Sequence, residues 1–166
     1  VPYRFGEVRH KDTNAIIIPS VSSENREYIP MGILSNDTIV LNSAMVVYDA
    51  EPWLFSILTS KMHMVWVKVV GGKLETRYRY SASVIYNNFP CPKLSDKKKE
   101  LLSEHAFHIL AIRENYPNKT LAELYDPAQL PEDLMQALAK MDRKVNKQKT
   151  AILLKTDKQR LEDIYK

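Results

Sequence analysis

The feature that most constrains this chain is a change of hydrophobic period near Pro92. Up to that point short apolar runs are separated by turn-forming residues, and beyond it the apolar residues recur at helical spacing. A chain written this way folds as α+β: a mixed β-sheet domain over residues 1–92, then an all-helical tail over residues 93–166. In the first part, residues 3–10 alternate loosely, and Ala15-Ile16-Ile17-Ile18 is a strand stopped by Pro19. Residues 28–34 and 38–48 continue the strand pattern, with a turn at Ser35-Asn36-Asp37. Residues 51–70 interrupt it with one helix, carrying Trp53, Leu54, Ile57, Leu58, Met62 and Val65 and stopped by Gly71-Gly72. In the tail, Ser95 caps a helix whose stripe is Leu102, Ala106, Ile109 and Ile112. Pro131 opens another, with Leu134, Leu138, Met141 and Val145 on one face. The residues Thr156 to Gln159 have the spacing of a capping box for a last helix bearing Leu161 and Ile164.

The parts an enzyme needs are missing. A cofactor-binding strand-to-helix turn requires clustered glycines, but the chain has 4, and Gly71-Gly72 follows a helix. No hydrolase elbow, phosphate loop or zinc-protease motif is present. His63 lies among Met62, Met64 and Trp66 and reads as a packing histidine. His105 and His108 are three apart on a helix but lack a third ligand. The single cysteine, Cys91, excludes an internal disulfide framework and fits a reducing cytoplasm, and no apolar run is long enough for a membrane span. A formal net charge of +4 is compatible with a polyanionic partner without requiring one. The chain begins at Val1 and runs straight into strand-like sequence, which reads as a piece of a longer polypeptide.

One stretch reads as a recognition element. Along Lys73-Leu74-Glu75-Thr76-Arg77-Tyr78-Arg79-Tyr80-Ser81, strand alternation puts Lys73, Glu75, Arg77 and Arg79 on one face. Arginine can bond a guanine edge through two N–H groups and glutamate can accept from a cytosine amine, so such a row can read bases in the major groove. The same pattern also fits a solvated strand with a weak Glu75–Arg77 ion pair. Asn42 is either a buried amide or one aimed at an adenine edge. The polar run Ser20, Ser22, Ser23, Asn25 and Arg26 can donate to phosphates.

Several ordered strings are more specific: Tyr28-Ile29-Pro30-Met31-Gly32, Asn42-Ser43-Ala44, residues 57–66, Arg77-Tyr78-Arg79-Tyr80-Ser81, Tyr86-Asn87-Asn88-Phe89-Pro90 and Leu121-Ala122-Glu123-Leu124-Tyr125-Asp126-Pro127. In this order they resemble the C-terminal part of the MmeI-like single-chain type II restriction–modification methyltransferases. The resemblance implies a target recognition domain followed by a helical C-terminal region, a double-stranded DNA partner, and contact with the methyltransferase domain of the same polypeptide. It implies base readout by Asn42, Ser43, Glu75, Arg77 and Arg79; the polar run and the strand add Ser22, Ser23, Arg26 and Lys73 as expected DNA-backbone contacts. It places catalysis, S-adenosylmethionine and any magnesium in the full-length parent, with none of these in the present chain. The resemblance further implies that members vary at the positions of Glu75 and Arg77 with a reversed-charge pair, which is what exchange of a G·C for a C·G would require physically. Cys91 departs from the tryptophan expected between two prolines. The competing reading is a protein-interaction module whose helical half docks a partner.

Overall fold

The computed structural model describes residues 10–147. The apolar run after residue 14 forms β1 (Ala15–Pro19), and a bend at Ser20 separates it from β2 (Val21–Ser22). Strands β3 (Gly32–Leu34) and β4 (Ala44–Tyr48) pair antiparallel on either side of β1, with Ile16 facing both Ile33 and Val47. Strands β5 (Gly72–Leu74) and β6 (Arg77–Arg79) form a hairpin whose β6 edge pairs with β2. The α+β class is borne out, with the strand content divided between two small antiparallel sheets.

The helix expected over residues 51–70 is two helices, α1 (Pro52–Thr59) and α2 (Lys61–Val70). The break is Ser60, whose backbone is extended. Its hydroxyl donates to the Ile57 carbonyl at 2.6 Å and accepts from the His63 amide at 3.3 Å. One residue therefore closes the first helix and caps the second, and the hydrophobic period runs through the break without betraying it. Gly71 ends α2 because nothing larger fits: a Cβ there would lie 2.4 Å from the Val67 carbonyl oxygen. Only residues 32–34 of the expected 28–34 strand and 44–48 of the expected 38–48 strand are extended pairs; residues 35–43 are loop and turn. Residues 73–81 are not one strand but the hairpin plus its exit.

A single π-helical turn (Ala82–Tyr86) follows, held by the Trp66 indole donating to the Ile85 carbonyl at 3.0 Å. The tail contains α3 (Asp96–Glu114), the short α4 (Leu121–Leu124) and α5 (Glu132–Lys147). Ser95 stands at the start of α3 without a side-chain bond to it. The predicted stripes of α3 and α5 are all buried. Helix α4, unforeseen, has a reciprocal cap between Thr120 and Glu123. The capping box at residues 156–159 and most of the strand expected at 3–10 lie outside the described residues. Among those described, no helix is long and apolar enough to cross a membrane.

The β-containing first part and the tail share one core. Ile16, Ile18, Met31, Phe55 and Ile85 pack in the same cluster as Leu102, Ile109, Leu134 and Met141. Polar bridges cross between them. The Asp142 carboxylate accepts from the Tyr28 hydroxyl at 2.7 Å and the Lys61 amide at 2.8 Å. Burial and that carboxylate together push the Tyr28 phenol well above its ordinary range. Arg113 donates to the Met31 carbonyl at 2.7 Å and to the Tyr125 hydroxyl. Its guanidinium lies 5.1 Å from the Phe55 ring and 4.8 Å from that of Tyr125.

Candidate nucleic-acid interface

The β5–β6 hairpin carries most of the charged residues singled out in the sequence. Leu74 pairs with Arg77, Lys73 with Tyr78 and Gly72 with Arg79, leaving Glu75 and Thr76 as the turn. Glu75 takes a left-handed backbone conformation, φ 57°, which glycine would adopt more easily. Opposed residues in an antiparallel pair point to the same side. A two-residue turn pairs even with odd positions, so the alternation read along one strand breaks here. Leu74, Arg77 and Arg79 share a face; Lys73 shares the other with Tyr78. The expected single row of Lys73, Glu75, Arg77 and Arg79 is therefore corrected: the two arginines remain together, Glu75 sits at the apex, and Lys73 points away.

The apex is open to solvent. The Glu75 and Arg77 side chains are 76% and 47% exposed and form an ion pair at 2.9 Å. Behind them the hairpin is anchored. Tyr80, the residue that directly follows β6, is buried, and its hydroxyl is bonded to Nε2 of His63 at 2.8 Å. The Phe89 ring stands edge-on to that imidazole with centroids 4.5 Å apart. His63 is fully buried, and burial pushes it down to about 3, so it packs as a neutral ring, as its apolar neighbours in the sequence suggested.

A second segment meets the hairpin through the main chain. The Ser20 amide donates to the Ser43 carbonyl at 3.2 Å, and the Tyr80 amide donates to the Ser20 carbonyl at 2.9 Å. Residues far apart in sequence thus flank one bend. Asn42 and Ser43 lie in an exposed turn closed by the Ala44 amide on the Leu41 carbonyl at 3.2 Å. The exposed turn removes the buried-amide reading of Asn42.

The expected phosphate contacts divide. Lys73 is exposed and Ser23 half-buried, with the Ser23 hydroxyl accepting from the Asn25 amide at 3.3 Å. Ser22, paired with Tyr78, is 4% exposed, and so it drops from the solvent-facing set. Arg26 is turned instead toward the tail, donating to the Ala122 carbonyl at 3.1 Å; it braces α4. Sequence reasoning missed Glu24. Its carboxyl is held below its usual range by its own backbone amide and then by the Thr76 hydroxyl, with Arg77 and Lys73 nearby. The β2–β3 loop therefore reaches the hairpin apex, a juxtaposition that no local pattern announces. His105, on the tail, is depressed first by burial and then by Lys140 and Lys144, surroundings that repel a metal cation.

Comparison with known proteins places the chain in a family. Residues 1–93 match the family described as MmeI, target recognition domain, and residues 94–166 match MmeI, C-terminal domain. The chain is 46% identical over 165 residues to DNA methyltransferase A of Bacillus subtilis (strain 168), covering 99% of the chain and 19% of that protein. Its fold superposes with a TM-score of 0.91, at 40% identity, on MmeI, a type IIL restriction–modification enzyme solved in complex with DNA, over 99% of this chain and 22% of that one. The chain thus spans about a fifth of the length of the relatives it matches. It belongs to the family of MmeI target recognition domains, joined to an MmeI C-terminal domain.

Proposed function

We propose that this chain is the sequence-reading part of a restriction–modification DNA methyltransferase, and that it holds double-stranded DNA against a methyltransferase domain in the same polypeptide. The observation that carries the reading is the exposed hairpin apex, where Glu75 and Arg77 stand clear of the core on a rigidly anchored ribbon. A two-stranded ribbon fits the major groove. Arg77 and Arg79, on one face, bond guanine edges; Glu75 accepts from a cytosine amine; Asn42 and Ser43 supply amide and hydroxyl groups from the neighbouring turn. Lys73, on the other face, and Ser23 reach phosphates. The helical tail steadies the ribbon through the shared core and offers Phe107 and Met135, 57% and 42% exposed, to the catalytic domain. Methyl transfer from S-adenosylmethionine, and any magnesium-dependent cleavage, belong to that larger protein.

In the full-length protein, Arg77→Ala weakens binding to the cognate duplex by about 1–3 kcal/mol and relaxes one base position. Lys73→Ala lowers affinity for all sequences alike and reduces the slope of log K against log salt by roughly one. Fluorescence titration against cognate and altered duplexes over a salt series measures both. Unchanged affinity and unchanged site preference in Arg77→Ala would reject the base-reading role.

A further inference from the structure

The alternation expected of one continuous strand would put Leu74 on the core side with Tyr78. The hairpin register moves it to the opposite face, directly across from Arg77, where it is 45% exposed. Beside the other reading segment the same thing recurs. Ile39 and Leu41 are 60% and 67% exposed, and Leu41 immediately precedes Asn42. Their loop is held by its own bonds: the Thr38 amide and the Asp37 carboxylate tie its start, and the Leu41 carbonyl its end. Large aliphatic side chains on an ordered loop or ribbon, left out of the core, mark a surface built to be covered. Leu74 and Leu41 each adjoin a residue assigned to base reading, and Leu74 stands among cationic side chains, which suits duplex DNA better than a second apolar protein face.

We propose that Leu74 and Leu41, with Ile39 beside the latter, form the apolar part of the DNA contact and pack against thymine 5-methyl groups and neighbouring C–H edges in the major groove. The inference rests on the DNA-reading function above. It adds a component that hydrogen-bonding residues cannot supply, because a methyl group offers no donor or acceptor and is recognised by apolar contact alone.

The test uses the full-length protein, with Leu74→Ala and Leu41→Ala measured beside Arg77→Ala. Each leucine variant is expected to lose roughly ten-fold in cognate affinity, since part of a buried leucine's transfer energy is forfeited. Because no phosphate contact is removed, the salt slope stays that of the unaltered protein. Replacing site thymines by deoxyuridine, one at a time, weakens binding of the unaltered protein at one or more positions, and weakens the matching leucine variant no further. Unchanged affinity in both leucine variants, with Arg77→Ala still impaired, would overturn this proposal and leave the reading function standing. Loss of thermal stability in the DNA-free protein, with cognate affinity retained, would overturn it in favour of a seat against another domain. Intact binding in all three variants would remove the reading function itself.

Discussion

At the scale of single residues, the fold spends strain and solvation where the candidate interface needs shape. Glu75 occupies a left-handed conformation that costs a non-glycine residue on the order of 1 kcal/mol, and in exchange a carboxylate stands at the hairpin apex. His63 shows the complementary device beneath it, a ring wholly removed from water to anchor the Tyr80 hydroxyl. Its folded value of about 3 lies below the ordinary histidine value near 6.5. Between those limits the unfolded chain carries the extra proton. His63 therefore contributes stability that is complete above about pH 6.5 and is lost as the pH falls toward 3. Replacement by His63→Gln, which can still bond Tyr80 but does not titrate, should make the stability–pH curve shallower by up to about 1.4 kcal/mol per pH unit in that window. Urea unfolding at a series of pH values measures the slope; equal slopes in the two proteins would contradict the buried neutral ring.

At the scale of elements, what the sequence made legible was set by how each element announces itself. The stripes of α3 and α5 repeat over several turns, and the burial of Leu102, Ile109, Leu134 and Met141 followed directly. The break at Ser60 was hidden because Leu58, Met62 and Val65 keep helical spacing across it. Only the serine hydroxyl, bonded to both sides, explains why two helices meet there. Ser60→Ala should destabilise the chain by about 1–2 kcal/mol, in the manner of a lost N-cap, with thermal unfolding as the readout. The hairpin was hidden for another reason: its turn, Glu75-Thr76, contains none of the glycine or asparagine that ordinarily marks such a turn. Alternation alone put Arg77 and Arg79 together correctly, yet misassigned Lys73 and Leu74, because reversal of the chain changes which parities share a face. The burial of Ser22 and the turn of Arg26 toward the tail were not legible for want of tertiary information, since a polar residue in a short strand and an arginine near a distant carbonyl look the same in sequence as solvent-exposed ones.

At the scale of the whole molecule, the first part and the tail are packed through one core. The buried Asp142 carboxylate, reached by the Tyr28 hydroxyl and the Lys61 amide, is a junction between them. Asp142→Ala should cost on the order of 3 kcal/mol, because it strands two donors away from water. Unfolding of the unaltered chain should be a single transition, with tryptophan fluorescence reporting Trp53 and Trp66 in the first half and coinciding with loss of helical circular dichroism, which is dominated by the second. Two separated transitions would show that the halves fold independently. The bridge at Ser20 has a consequence of a different kind. Ser43, Ser20 and Tyr80 are joined by amide and carbonyl groups, so the spacing between the Asn42–Ser43 turn and the hairpin does not depend on which side chains they carry. Any residue that keeps its N–H preserves the alignment at position 20, and proline alone cannot. Variants of this surface can therefore diverge freely in the letters they present while inheriting an unchanged frame.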